Sequence, residues 1–279
     1  MTVEYKCTVT VFWGMEGLFM RVDVNTDTGE AFGRWKICDD ESLLPYVSSA
    51  NVACGAHAGD PLVMESITAA CARHGVGIGA HPGFPDLQGF GRREMRMSPG
   101  EIEAFIMYQV GALRVFAEHY GKTLTHVKPH GALYNMASVD EAIAKAVARG
   151  VARSTRKGET LVLVGLANSL MVDAAKKAGI PVASEGFCDR GYTSDGNLAK
   201  RGAPGALISD VREVAKQAVE MVTEGKVTAL DGTRVSLKVD TICIHSDTPG
   251  ALQIAACVNS ALKEAGVEIT GIREVVGIG

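Results

Sequence analysis

From Met20 onward, short apolar runs alternate with longer stretches in which apolar residues recur at helical spacing. Strand-like runs fall at Arg21–Asn25, Ala50–Ala53, Val76–Ala80, Leu124–Lys128, Thr160–Leu166, Pro181–Ser184 and Thr241–His245. Between them lie helical patterns. One opens at Asp60-Pro61, a cap followed by a first-turn proline, and carries Met64, Ile67 and Cys71 on one face. Another opens at Ser98-Pro99 with Glu101 three positions after the serine, the sequence form of a capping box, and carries Ile102, Phe105, Ile106, Gln109, Leu113 and Phe116. Others run near Val139–Arg153, Ser169–Ala178, Asp210–Glu224 and Ala251–Ala265. Strand–helix alternation predicts a parallel sheet with right-handed crossovers. Seven such units predict an α/β fold in which a seven-stranded (β/α) barrel closes; a doubly wound open sheet is the alternative. Gly191–Ile208 reads as one long loop after the sixth strand.

The strand ends break the apolar pattern. In Val22-Asp23-Val24-Asn25-Thr26-Asp27, alternation sets Asp23, Asn25 and Asp27 on one face and the valines on the other. At the C-terminal rim of a barrel, inward polar groups mark a catalytic site. The second strand leads through Asn51 to His57, and the third ends at His81. The fourth sets His126, Lys128 and His130 on one face. The sixth is followed by Glu185, Asp189 and Arg190, and the seventh by His245 and Asp247. Five of the seven histidines therefore lie on or just after predicted strands; only His74 and His119 sit near helix ends. Glycines 29, 55, 59, 83, 131, 186 and 250 follow the same strand ends, where positive φ or a close backbone approach is needed.

Composition narrows the reading. An apolar share of 47% excludes a disordered chain, and a net charge of −4 argues against nucleic acid as a partner. No apolar run is long enough for a membrane helix. The seven cysteines are widely spaced without a CxxC, which reads as buried free thiols in a reducing, cytoplasmic setting. Residues 1–19 read as an N-terminal extension, with Met20 opening directly onto a strand. The D-x-N-x-D start at Asp23 is no calcium loop, because Thr28 and Arg34 hold the places of the turn glycine and the bidentate glutamate. There is no P-loop and no G-x-S-x-G elbow. Gly75-Val76-Gly77-Ile78-Gly79-Ala80 matches a dinucleotide string but enters a strand instead of leaving one. Histidines and aspartates at strand ends favour an activated water, with or without a metal. Asp27, His57 and His130 come from three strand ends and form a candidate open site for a divalent metal.

Six ordered blocks resemble the LamB/YcsF family. They are Asp23–Glu30, Ser49–Pro61, Gly79–Asp86 with Gly89–Arg93 behind it, Val127–Asn135, Glu185–Arg190 and Cys243–Gly250. The resemblance spans Met20 to Gly266 and leaves 267–279 as a C-terminal tail. Thr26, Ala56, Ser246 and Thr248 depart from common family residues without removing a charged or imidazole group.

The resemblance implies a single barrel domain over 20–266, like that of the glycoside hydrolase/deacetylase superfamily. It implies ATP-dependent opening of the 5-oxoproline lactam to L-glutamate, with Mg²⁺ carried by ATP and two further subunits, B and C. On that reading Asp23 or Asp27 is the base, and His245, oriented by Asp247, is its acid/base partner. His81 and Glu185 complete the catalytic candidates. Lys128 and Arg190 are expected on phosphate or the substrate carboxylate, with Arg92, Asn25, Asn51, His130 and Asp189 as further binding residues. A metal-dependent deacetylase or amidohydrolase without ATP, and a non-catalytic lactam-binding subunit, are the alternatives.

Overall fold

A computed structural model describes residues 20–278. Seven parallel strands close on themselves: β1 (Met20–Thr28), β2 (Ser49–Ala53), β3 (Gly77–His81), β4 (Leu124–Val127), β5 (Val162–Leu166), β6 (Val182–Phe187) and, after the hairpin β7 (Lys226–Thr228) and β8 (Arg234–Ser236), β9 (Thr241–Ile244). Each pairs with its predecessor in this order, and β9 returns to β1 with Asn25 opposite Cys243. The closed alternative is the one realised, and all seven expected strands are present. The extension 1–19 lies outside the described residues.

Helices surround the barrel: α1 (Asp40–Leu43), α2 (Pro61–His74), α3 (Pro99–His119), α4 (Gly131–Val139), α5 (Glu141–Ser154), α6 (Leu170–Lys177), α7 (Val211–Glu224) and α8 (Ala251–Glu264). Their ends follow the sequence signals. Asp60 caps α2 through Leu62 N and Val63 N, and Ser98 and Glu101 form the reciprocal capping box of α3. The helix expected near Val139–Arg153 is α5, which Asp140 caps through Ala142 N and Ile143 N; α4, directly before it, is not among the expected helices, and the extended backbone of Asp140 separates the two. The stretch after Gly266, expected to be a tail, is ordered structure. β10 (Val267–Ile269) pairs with the start of β1, and α9 (Ile272–Val275) covers the base, where Arg273 donates to the carbonyls of Leu124 and Thr160 at 2.9 and 2.7 Å.

The pleat sorts side chains as the alternation predicts. Val22, Val24, Val52, Ile78 and Leu163 point out and join the helices in one continuous apolar core. Much of the interior is polar: Asp23, Asn25, Asp27, Asn51, His126, Lys128, Glu185 and Thr241 are all buried, while Val162, Val164 and Ala183 form a separate small apolar cluster with Ile272. Charged and polar groups in such a space must satisfy one another. Register makes this feasible. Asp27 lies opposite Asn51, Asn51 opposite Gly79, and Gly79 opposite His126. A Cβ on Gly79 would lie 2.0 Å from His126 Nε2, so only glycine lets that ring cross to Asn51 Oδ1 at 2.7 Å. Of the cysteines, Cys54, Cys71, Cys188 and Cys243 are buried free thiols and Cys38 is a half-buried one; Cys7 lies outside the described residues.

Candidate active site

A cavity of about 640 Å³ opens at the C-terminal ends of the strands. Its floor is an ion triad. Lys128 Nζ, one residue past β4, lies 3.0 Å from Asp27 Oδ1 on β1 and 2.7 Å from Glu185 Oε1 on β6. It also donates to Asn25 Oδ1 at 3.2 Å and meets Cys243 Sγ at 3.1 Å. Burial works against the lysine's charge, but Asp27, Cys243 and Glu185 outweigh it and hold the ammonium well above the ordinary lysine range. Burial likewise opposes ionisation of Asp27, yet His81 and Lys128 hold its carboxyl well below the usual range. Asn51 donates to Asp27 Oδ1 at 2.9 Å, and Tyr134 from α4 donates to Glu185 Oε2 at 2.6 Å.

Beside this triad stands a buried histidine cluster. His81 Nδ1 lies 2.7 Å from the Lys128 carbonyl and His130 Nε2 lies 2.8 Å from the Phe90 carbonyl. A carbonyl can only accept, so both of these nitrogens carry hydrogen. The two remaining nitrogens, His81 Nε2 and His130 Nδ1, then face each other at 2.9 Å, and His81 Nε2 also lies 3.4 Å from Asp27 Oδ2. Glu30 Oε1 lies 3.3 Å from both His130 Nδ1 and His57 Nε2, and the His57 and His130 rings stack at 3.7 Å. Ligands on one tetrahedral zinc lie about 3.3 Å apart, given bond lengths near 2.0–2.1 Å. Glu30, His57, His81 and His130 thus fit a divalent cation by donor set and spacing. His81 and His130 have the carbonyl partner that orients a metal-bound imidazole, whereas His57 Nδ1 is buried without one. Burial, then the charges of Asp27 and Asp247, raise the Glu30 carboxyl well above the ordinary range, and burial with the neighbouring imidazoles lowers His57 and His130.

The loops supporting this cluster are tight. Phe90 takes φ 54°, uncommon for a bulky residue, and in doing so aims its carbonyl at His130. A Cβ on Gly83 would lie 2.7 Å from His57 Nδ1, so glycine here provides room for the ring.

The opposite wall carries a second acid/base device. His245, just past β9, is held through Nδ1 by both oxygens of Asp189 at 3.0 and 2.9 Å, and stacks on Phe187. Burial resists ionisation of Asp189, but His245 prevails and lowers its carboxyl below the ordinary range. Among the described residues no hydrogen bond engages His245 Nε2, and the ring borders the cavity.

The LamB/YcsF family model matches residues 22–277. The chain belongs to the LamB/YcsF family. It is 51% identical to the 5-oxoprolinase A-subunit of Chloroflexus aggregans, over 90% of this chain and 98% of that one. It is 49% identical to that of Pyrococcus horikoshii, over 92% of this chain and all of the other. The crystal structure of a lactam utilization protein from Thermus thermophilus superposes with a TM-score of 0.85, at 46% identity, over 90% of this chain and 100% of that one.

In this LamB/YcsF chain the expected residues divide. Asp27, His81, Lys128, His130 and His245 meet at the cavity. Asn25, Asn51 and Glu185 lie just beneath and brace it. Asp23 does not reach it: four residues before Asp27, it accepts from Ser48, Ser49 and Thr241 at 2.6–2.7 Å inside the lower barrel. Asp247 does not orient His245; it pairs with Arg92 at 2.6 Å, and Asp189 takes the orienting position. Arg190 directs its guanidinium to the carbonyls of Ala199 and Ala206, tying down the long loop after β6. In the metal candidate, Glu30 and His81 stand with His57 and His130, while Asp27 lies with Cys243 and His245 in a second group of potential ligands. Sequence patterns do not mark Glu30, Tyr134 or Arg201 as site residues. Glu30 was within reach, since it closes the Asp23–Glu30 block of the LamB/YcsF resemblance.

Proposed function

We propose that this chain is the lactam-handling subunit of an ATP-dependent 5-oxoprolinase, which opens 5-oxoproline to L-glutamate together with subunits B and C. The observation that carries the reading is the joining, in one cavity, of a fixed charge pair, Asp27–Lys128, and an oriented acid/base pair, His245–Asp189. The relatives named as 5-oxoprolinase A-subunits support the substrate. A five-membered lactam is a poor electrophile. Transfer of the ATP γ-phosphoryl to the lactam oxygen, with Mg²⁺ on the nucleotide, makes the ring carbon attackable. Water adds there, its proton leaving to a base, and the C–N bond breaks as the nitrogen takes a proton. The resulting acyl phosphate is hydrolysed by a second water to glutamate and phosphate.

His245 is the group suited to both proton transfers, because Asp189 orients its ring and stabilises the imidazolium. Asp27 is too firmly ionised to be an effective base; with Lys128 it supplies a preorganised field at the cavity floor. A divalent ion held by Glu30, His57, His81 and His130 would add a Lewis acid beside that floor. The need for ATP sets the reaction in the cytoplasm; among the described residues no helix is long and apolar enough to cross a membrane.

The histidine cluster favours a second reading, a metal-dependent amidohydrolase acting without ATP. One experiment separates them. The chain is combined with subunits B and C on 5-oxoproline, with and without ATP, and assayed alone with and without a chelator. Glutamate formed only by the assembly with ATP is the expected result. Hydrolysis by the chain alone, independent of ATP and abolished by the chelator, would replace the reading with the second one.

A further inference from the structure

Five cationic side chains besides histidine border the cavity: Arg92, Lys128, Arg190, Lys200 and Arg201. Three are committed. Lys128 is neutralised by Asp27 and Glu185, Arg92 by Asp247, and Arg190 holds two loop carbonyls. Among the described residues no ion pair or hydrogen bond is made by the side chains of Lys200 or Arg201, nor by that of Glu94, the acid of the same rim that lacks a partner. Arg190 explains where the two free cations stand. Its grip on Ala199 and Ala206 closes the neck of the loop, and the antiparallel bridges Arg190–Leu207 and Tyr192–Leu198 stiffen its legs. The segment between, which carries Lys200 and Arg201, is thereby brought to the mouth.

Of the two, Arg201 carries the planar guanidinium, and it lies exposed at the cavity mouth. Its surroundings and the nearby Arg92 push its guanidinium below the ordinary value, while Asp247, Asp189 and Asp27 pull the other way. Both sides of the site therefore act on a guanidinium that has no counter-ion of its own. A planar guanidinium also matches a carboxylate bidentately, which an ammonium cannot do.

We propose that Arg201 is a specificity-determining residue: presented by the loop that Arg190 clamps, it binds the carboxylate of the lactam substrate. The assignment rests on the 5-oxoprolinase reading for the identity of that substrate. The anion it meets is the carboxylate on the ring, not the phosphoryl group formed during turnover.

The test compares 5-oxoproline with 2-pyrrolidinone, the same ring without the carboxylate. Calorimetry on the full chain measures binding of each to wild type, Arg201→Gln and Arg201→Lys; the assembly with subunits B and C gives turnover. Wild type should prefer 5-oxoproline, Arg201→Gln should reduce that preference about 10- to 100-fold, and Arg201→Lys should retain part of it. A preference unchanged in Arg201→Gln would overturn the proposal. Equal weakening of both lactams would overturn it in favour of a general structural or phosphoryl-binding role. Loss of the preference on Arg201→Gln in binding, with no ATP-dependent glutamate from the wild-type assembly, would uphold Arg201 and overturn the proposed function instead.

Discussion

Asp23 and Asp27 share one strand and one face, yet they belong to two different regions of the barrel interior. In the lower region Asp23 accepts from Ser48, Ser49 and Thr241, Thr241 accepts from Asn25, and His126 reaches Asn51. Every one of these groups has a neutral partner supplied by the barrel itself. In the upper region Asp27 faces a lysine and a histidine, Glu30 stands among three imidazoles, and His245 leaves one nitrogen unused. The lower network joins the upper one through Asn25 and Asn51, but none of its groups borders the cavity. The upper one contains charge, lone pairs and space. Polar burial is therefore a poor marker of function by itself; unused bonding capacity beside a cavity is the better one.

Three experiments would break or sharpen that contrast. The largest effect is expected from Lys128→Met. It strands Asp27 and Glu185 without their buried counter-charge, at a cost of about 3–5 kcal/mol, read as a lower midpoint in chemical denaturation together with loss of turnover. Unchanged stability would mean that the triad is not the charged floor described above. His245→Ala comes next. Turnover by the reconstituted assembly should fall about 10²- to 10⁴-fold, with less loss of stability than in Lys128→Met, and Asp189→Asn should follow in the same direction. Retention of full turnover by His245→Ala would remove the acid/base pair from the mechanism.

The smallest effect belongs to the lower region and concerns pH. Burial, opposed by its hydroxyl partners, raises Asp23 from 3.8 to about 6. The folded state thus binds this proton more tightly than the unfolded one. The stability it contributes is complete below pH 3.8 and is lost as pH rises through about 6, a span of about 3 kcal/mol from the linkage relation. Asp23→Asn should flatten that part of the stability–pH curve while leaving turnover at neutral pH. A curve that keeps the wild-type slope between those values, or a catalytic defect as severe as that of His245→Ala, would erase the distinction between the two regions.

Much of this was legible along the chain, for reasons that are local. Capping at Asp60 and at Ser98 with Glu101 involves residues within one helical turn, so the helix starts could be read directly. The inward face of β1 follows from the pleat, which alternates whatever the neighbouring strands do. The pairing of Asp247 with His245 could not be read in this way. Two residues apart in sequence, they lie where the strand has ended and alternation no longer holds. The chain turns Asp247 toward Arg92, and Asp189 arrives from the adjacent strand β6. Arg190 and Arg201 show the same limit within one loop. The sequence reading marks Arg190 and not Arg201, and the closure of the loop neck decided that Arg190 binds backbone while Arg201 stands at the cavity mouth.

The amino-acid sequence by itself determined the seven strand–helix units, the polar inner face of β1 and the concentration of histidines at strand ends, because periodicity and capping act over a few residues. Only the tertiary structure decided which carboxylate meets Lys128, which aspartate holds His245, that Glu30 joins His57, His81 and His130, and that residues 267–278 complete the base of the barrel. Those choices depend on strand register and on loop closure around the barrel. They bring together residues as distant in sequence as Arg21 and Glu268, 247 positions apart, and no local pattern specifies them.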